Sequence, residues 1–475
     1  MVQREGSKRR RGKGSRDNSQ RSKPQDLLKE MPQVRRDAAG IDLGSRSHWV
    51  AVPADRDAEP IREFSSLTEG LGKLADWLKS CAIKTVAMEA TGVYWIPTFD
   101  LLEERGFEVH LINAKHLKNV PGRKSDVLDC QWIQQLHSFG LLRGSFRPTK
   151  EILELRAYVR QRDRLVRDAA EQVQYMQKAL LEMNVQLHHM VSDLTGVTGM
   201  GIVRAIVAGE RDGNKLAELR DPRCRESKAS IAASLQGTYK SEHLFVLEQA
   251  LKTYDLHQEL LKSCDERIEG KLVELEALVK GPVEPCPPQR HDSPKKNQPK
   301  FEIQSPLHRI CNNFDMTQIH GIAPATALHI AAEIGTDMSR WPTEKHFTSW
   351  LNLAPGTRIT GGKLLSARRG PSTNRAGLAL RQAAVATGRT DTALGSFYRR
   401  IASQRGAGKA AVATARKMAV LIYHGLKHGQ AFVDRGIAAY EREHAERQIR
   451  SLNRRATAFG YQLTPVPTEA SAAAN

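Results

Sequence analysis

Hydrophobic and polar positions change period several times along this chain. Apolar residues run into Asp42 through Gly40-Ile41, and Leu43-Gly44 follows; after the polar Ser45-Arg46-Ser47 comes a second apolar run, Trp49 to Val52. This pattern predicts a strand carrying a carboxylate, a hairpin and an antiparallel partner strand. Ile61 to Phe64 reads as a further strand and Leu67 to Leu78 as an amphipathic helix. Lys84 to Ala90 is a β-rich run ending at Glu89, and a helix opening at Val93-Tyr94-Trp95 runs through Leu101-Leu102. Glu108 to Asn113 is the next strand, and a helix starts near Asp126. Residues 37–148 therefore read as an α/β domain. Between Thr149 and Asn184 there is no proline or glycine, and Leu155, Tyr158, Val159, Leu165, Val166, Ala169, Val173 and Met176 form a helical stripe. A second such stretch runs from Glu242 to Val279. The pair predicts a long antiparallel helical, coiled-coil arm within 149–280. A proline-rich linker at 281–305 separates it from a mostly α-helical block at 306–436, and 437–475 reads as a C-terminal tail.

Four carboxylates fall where these elements end or begin. Asp42 and Glu89 sit at strand ends. Asp126 and Asp129 stand at i and i+3 in the first turn of a helix, with Ser125 as N-cap. Taken singly, each has an ordinary explanation: a strand-end Asp satisfied by turn amides, or acids favoured by a helix dipole. Together they suit a two-metal site, because two hard cations need several convergent oxygen ligands. The metal would be Mg2+, or Mn2+ in its place.

Charge narrows the partner. Lys and Arg total 72 against 53 Asp and Glu, a net +19 over 475 residues, which points to a polyanion such as nucleic acid. A membrane surface is the competing polyanion, but there is neither an apolar run of spanning length nor a basic amphipathic terminal anchor. The six cysteines are scattered without a Cys-x-x-Cys, which argues against a zinc site and fits a reducing cytoplasm. Residues 1–36 are dominated by Arg, Lys, Ser, Gln and Gly, and read as a disordered basic arm that contacts phosphates or serves as a solvated tail. Arg156, Arg160, Arg164 and Arg167 form a stripe on the first long helix, either tracking a phosphate backbone or facing water. Two glycine-containing turns before apolar helices, Thr198-Gly199-Met200-Gly201 and His320-Gly321-Ile322-Ala323, have the pattern of helix-hairpin-helix elements. Their glycines serve either a phosphate or helix packing.

The last candidate is a hydroxyl. Arg358-Ile359-Thr360-Gly361-Gly362-Lys363 places a threonine before two glycines and between cations. Such a group can attack phosphorus, and ordinary loop chemistry explains the same composition.

Gly-Ile-Asp-Leu-Gly, Met-Glu-Ala-Thr-Gly-Val-Tyr-Trp and Arg-Lys-Ser-Asp-Val-Leu-Asp, in this order, resemble the three signature blocks of the DEDD-type insertion-sequence transposases, the IS-one-ten family. The resemblance implies an RNase H-like (RuvC-like) N-terminal domain in which Asp42, Glu89, Asp126 and Asp129 bind magnesium, and a C-terminal transposase domain from His320-Gly321 through Asn374-Arg375. It also implies a homo-oligomer, dimer or tetramer, acting in the bacterial cytoplasm at the nucleoid. Donor and target DNA would be its substrates, paired by a structured guide RNA from the element. Family members carry a nucleophilic serine just before a glycine. Here the matching residue is Thr360, whose methyl crowds an in-line attack, and Ser366 and Ser372 stay open as alternatives. A junction-resolving endonuclease using metal-activated water is the second reading, and an inactive nucleic-acid-binding protein the third.

Overall fold

The computed structural model describes residues 32–464 apart from 91, 114–125, 283, 289–296, 357 and 367–373. The basic arm before residue 32, Ser125, Ser372, much of the proline-rich linker and the tail from 465 lie outside the described residues, as do the side chains of Asp126, Arg358 and Ser366. The chain divides into two compact units, Met1–Arg147 and Pro148–Asn475.

The first unit is a mixed sheet covered on both faces. Its strands are β1 (Ala38–Leu43), β2 (Ser47–Ala51), β3 (Ile61–Ser65), β4 (Thr85–Glu89) and β5 (Glu108–Ile112), with helices α1 (Thr68–Ser80), α2 (Trp95–Glu104) and α3 (Asp126–Ser138). The strand order is β3-β2-β1-β4-β5. β1, β2 and β3 form an antiparallel meander, whereas β1, β4 and β5 run parallel. Strand alternation assigns the faces. Ile41, Leu43, Val86 and Met88 pack with Leu74, Leu78, Phe99 and Leu102 of α1 and α2. Ala87 and Ile112 point to the opposite face and meet Ile133 of α3. One boundary differs from the sequence reading: α2 begins at Trp95, because Gly92 takes φ +53° and the chain turns there before the helix starts.

The second unit is mostly helical. Its two longest early helices are α4 (Lys150–Glu182) and, after the short helices α5 (Leu187–Met190), α6 (Val197–Val207), α7 (Gly213–Ala217) and α8 (Lys228–Ser234), α9 (Ser241–Leu278). α4 and α9 pack together antiparallel. Glu154 pairs with Lys271, Arg162 with Asp265, and Glu182 with His243, so partners advance along one helix as they recede along the other. Ile152, Leu155, Val159, Leu165 and Ala169 line the seam of α4, while Leu261, Ile268, Leu272 and Leu275 are buried on α9. At the far end of the pair, α5 to α8 pack Leu187, Ile202, Ile206, Leu216 and Ile231 into one core with Met176 and Leu180 of α4 and Leu247 and Leu251 of α9.

The chain continues through α10 (Gln304–Ile310), α11 (Pro324–Ile334), α12 (Glu344–Trp350), a hairpin of β6 (Arg358–Thr360) and β7 (Lys363–Ser366), and α13 (Arg375–Thr387), α14 (Ala393–Arg405), α15 (Ala407–His428) and α16 (Gln430–Ala458). Described parts of the linker are held by hydrogen bonds: Gln304 donates to the Pro287 carbonyl and Asn313 to that of Pro282. Residues read as a tail from 437 are helical as far as Ala458. The apolar signal there is sparse, but Glu443–Arg447 and Glu446–Arg450 pairs one turn apart support the helix.

The arginine stripe on α4 is divided: Arg156 and Arg160 are taken up by contacts within the fold, while Arg164 and Arg167 face water. Arg156 donates to the Ala332 and Glu333 carbonyls at the end of α11, and Arg160 grips the Glu333 carboxylate with two 2.7 Å hydrogen bonds. Arg162 is buried against Asp265. Among these cations only Arg164 and Arg167 are exposed. Thr198-Gly199-Met200-Gly201 lies within α6 rather than in a turn before it; Gly199 and Gly321 are explained by packing, whereas a Cβ on Gly201 would meet only Leu219 Cβ at 3.7 Å. A Cβ on Gly199 would lie 2.3 Å from the Leu194 carbonyl oxygen. One on Gly321, which takes φ +92°, would lie 2.2 Å from Thr387 Oγ1. No helix among the described residues is long and apolar enough to cross a membrane, and all six cysteines are free.

The Arg162–Asp265 pair yields a stability prediction. Arg162→Met leaves Asp265 charged and alone in the helical seam, and should cost about 3–5 kcal/mol, whereas the double variant Arg162→Met/Asp265→Leu should recover most of it. Urea unfolding of the full chain measures both, and a single variant as stable as the parent would refute the buried-pair account.

Candidate active site

Asp42, Glu89 and Asp129 reach one end of one face of the first unit's sheet, through three separate constraints. The first is register. β1 and β4 pair in parallel up to Ile41↔Met88, so Asp42 and Glu89 are the next residue on each strand. Side chains at equivalent positions of adjacent parallel strands share a face, and this face is the one α3 covers rather than the one α1 and α2 cover.

The second constraint is a close approach. A Cβ on Gly40 would lie 2.3 Å from the Gln134 backbone nitrogen and 2.4 Å from the Cys130 carbonyl oxygen. Only glycine lets α3 lie this near to β1. Farther along α3, Gln134 donates to the Ala38 carbonyl, so the helix runs opposite to β1. From Gly40 to Asp42 the strand advances about 6.6 Å, equivalent to about four residues of helix. That puts Asp42 level with the first turn of α3, where Asp126 and Asp129 stand.

The third constraint anchors the other end of α3. His137 is fully buried, with Nε2 2.8 Å from Thr85 Oγ1 on β4. Thr85 in turn donates to the Glu108 carbonyl on β5, and Arg35 donates to His137 Nδ1 at 3.2 Å. These partners require a neutral ring that carries its proton on Nε2. Burial, reinforced by the positive fields of His110 and Arg35, lowers the His137 pKa to about 3.

The buried Cys130 thiol reports on the same corner. Its pKa is pushed up to about 12, first by burial and then by the negative fields of Asp42 and Asp129. One sulfur thus feels both carboxylates, a strand residue and a helix residue 87 positions apart in sequence. Carboxylates alone make a hard-oxygen donor set, which suits Mg2+ or Mn2+ and not a soft metal. Among the described residues no group of three or more His, Cys, Asp or Glu side chains is gathered tightly enough to hold a metal ion. The Asp126 side chain, the fourth member, lies outside them.

Thr360 belongs to the second unit. It ends β6 and faces Lys363 across a two-residue turn, Gly361-Gly362, with both glycines at positive φ (+55° and +75°). This is the backbone of a tight hairpin of the kind that favours Gly-Gly. A Cβ on either glycine would meet no atom within 4 Å, and Thr360 and Lys363 are exposed. The glycines therefore serve the turn, and the hydroxyl is presented at an open tip. Ser366 lies opposite Arg358 on the same hairpin.

Gly40, Thr85, Cys130 and His137 were not singled out by sequence reasoning as parts of the site. Only Gly40 carried a signal, as a small residue two places before the acid on a strand that a helix must cross.

Two family models match the chain. A transposase model named for the DEDD enzymes of IS110 covers residues 39–185. The model of the transposase IS116/IS110/IS902 family covers residues 315–399. No curated protein matches it.

Gly40→Ala should lift α3 from the sheet and cost about 1–3 kcal/mol by overpacking, which thermal unfolding will register. The shift should also move the Cys130 thiol into reach of a maleimide that leaves the parent unmodified. His137 makes a separate prediction. The unfolded ring titrates near 6.5 and the folded one near 3, so the unfolded chain binds the extra proton. Stability should therefore fall between pH 6.5 and 3, by up to about 1.4 kcal/mol per pH unit, and be unaffected by this group above pH 6.5. His137→Gln should flatten that slope, and an unchanged slope would show that another group carries it.

Proposed function

Because the chain belongs to the IS116/IS110/IS902 family of insertion-sequence transposases, enzymes that cut and rejoin DNA, we propose that Asp42, Glu89, Asp126 and Asp129 form its phosphoryl-transfer centre. The observation that carries this reading is the convergence of β1, β4 and the first turn of α3 at one edge of the sheet, enforced by Gly40. The strand order β3-β2-β1-β4-β5, with an antiparallel meander beside parallel strands, supports an RNase H-like (RuvC-like) first unit. The seam between α4 and α9 supports a coiled-coil arm.

The four carboxylates would hold Mg2+ or Mn2+, which when bound supplies charge neutralisation for the phosphate under attack. The protein's own contribution is position. The strands fix two acids to the sheet, and α3 brings the other two to the same edge with its N-terminal dipole favouring their charge. Thr360 is proposed as the nucleophile. Its Oγ1 forms a bond to phosphorus as the bond to the strand's leaving oxygen breaks. The hydroxyl proton passes to solvent or to that leaving oxygen, and a DNA end remains as a phosphothreonine ester. Lys363, across the turn, can stabilise the developing negative charge. Donor and target DNA are the substrates in this scheme. A structured guide RNA and assembly into a dimer or tetramer complete it, and the net charge of +19 suits contact with both nucleic acids.

Sequencing the nucleic acid that co-purifies with the full chain supplies the substrate for the test. Thr360→Ala should bind that substrate as the parent does yet form no covalent protein–DNA species on a denaturing gel. Thr360→Ser should retain the adduct and form it faster, since the crowding methyl is gone. Asp42→Asn should lower strand cleavage by at least about 100-fold without lowering the melting temperature in chelator, because removing one acid relieves like-charge repulsion. Metal-dependent nicking without any adduct would instead identify a water-using resolving endonuclease, and loss of fold in Asp42→Asn would sink the metal-site reading. Mass spectrometry of the DNA-linked peptide decides among Thr360, Ser366 and Ser372.

A further inference from the structure

The described residues from Met88 to Ile96 run from the end of β4, the second strand of the candidate centre, into α2, and most of them have a structural account. Met88 is core, Glu89 is at the edge of the sheet, and Gly92 makes a turn at φ +53°. Trp95 packs edge-on against Phe99 at 5.9 Å, with the Arg147 guanidinium over both rings. Val93, Tyr94 and Ile96 have no such account. They are 68%, 45% and 39% exposed; Val93 and Tyr94 lie in the connection that leaves β4 beyond Glu89, and Ile96 in the first turn of α2. Packing in this unit gains nothing from three large apolar side chains in water just after the strand that carries Glu89, and grouped exposure of this kind marks a contact surface.

Tyr94 is the informative member. A Cβ placed on Gly92 would touch its Cδ2 and Cε2 atoms at 3.6 Å, so the ring lies against the bare backbone of the turn. That side of the ring is supported by the protein, and the residue is left 45% exposed. A rigid ring with a wet hydroxyl is suited to an amphipathic planar partner. A DNA strand whose phosphate reaches the carboxylate edge would carry such a partner one nucleotide away, because base and phosphate alternate along the strand.

We propose that Tyr94, bordered by Val93 and Ile96, is a stacking platform for an unpaired nucleobase next to the phosphate at the carboxylate centre. The proposal rests on the reading of that centre as the site of phosphoryl transfer. The platform is tolerant of base identity, since every base has a π face, and stacking of one base on an aromatic side chain is worth about 1–3 kcal/mol. It orients the strand without taking part in bond making.

The test uses the full chain and a gapped DNA duplex with a single 5-iododeoxyuridine in the gap, in calcium buffer so that binding proceeds without turnover. Long-wavelength irradiation should crosslink the iodinated base to the peptide containing Tyr94. Tyr94→Phe should keep the crosslink. Tyr94→Ala should lose it and weaken binding of the gapped duplex by about 5- to 150-fold, with little change for a fully paired duplex, whose bases are already stacked. Asp42→Asn should keep the crosslink while losing cleavage in magnesium, so failure of the catalytic reading and failure of the platform are told apart. A crosslink mapping elsewhere, or a Tyr94→Ala variant with unchanged affinity for gapped DNA, would overturn the proposal. So would a Tyr94→Ala variant that changes only the oligomeric mass in light scattering, which would assign the patch to a second copy of the chain.

Discussion

Everything at the candidate centre depends on how near α3 can come to β1. The distance is set by a missing methyl group at Gly40, where the helix backbone occupies the space any other side chain would need. Carboxylates on different elements can serve one chemical purpose only if the elements are held to within a fraction of a side-chain length. The mean spacing of a helix on a sheet, with ordinary side chains interleaved, would leave the first turn of α3 too far above Asp42. The buried neutral His137, bridging Thr85 and Arg35, then fixes the helix at its far end, so that α3 can neither slide nor tilt without breaking a buried hydrogen bond. The contacts that stabilise α3 on the sheet are thus the same ones that position the proposed centre.

Much of this was legible in the sequence, for a physical reason. Strand and helix periods differ, and glycine and polar clusters mark where one gives way to the other, so the alternation from Asp37 to Pro148 could be read as α/β and the proline-free stretches as long helices. The four acids stood out because carboxylates at strand ends and a helix start have few reasons to recur in that order. What was not legible was anything that depends on contacts between distant segments. His137 looks like any histidine until Thr85 is placed beside it, and Cys130 has no distinguishing spacing. Two of the four arginines on α4 were hidden for the same reason: Glu333, the partner of Arg156 and Arg160, is 173 residues from Arg160, and no local pattern announces it.

The second unit shows the limit of reading glycine as a ligand signal. Gly199, in the first turn of α6, and Gly321, in the turn before α11, lie in segments whose sequence resembles phosphate-facing elements, yet each is required by a carbonyl or hydroxyl pressed against its α-carbon. Gly361 and Gly362 are the opposite case. Nothing presses on them, and their positive φ angles alone account for the residue type. A close neighbour within the fold marks a packing glycine, and empty space marks one that shapes a turn or leaves room for something else. By that criterion the tip bearing Thr360 is the one place among these glycines where a large partner can approach the backbone.

The helical pair of α4 and α9 has a mechanical consequence. An α-helix of 38 residues, the length of α9, spans about 57 Å, and two such rods packed by aliphatic side chains alone can slip by a heptad, about 10 Å, at modest cost. Burying Arg162 opposite Asp265 removes that option, because any other alignment leaves a charge facing hydrocarbon. The pair therefore behaves as a ruler with a single graduation: the small helical cluster at its far end is held at one fixed reach from the rest of the unit, and any partner it touches is measured off at that distance.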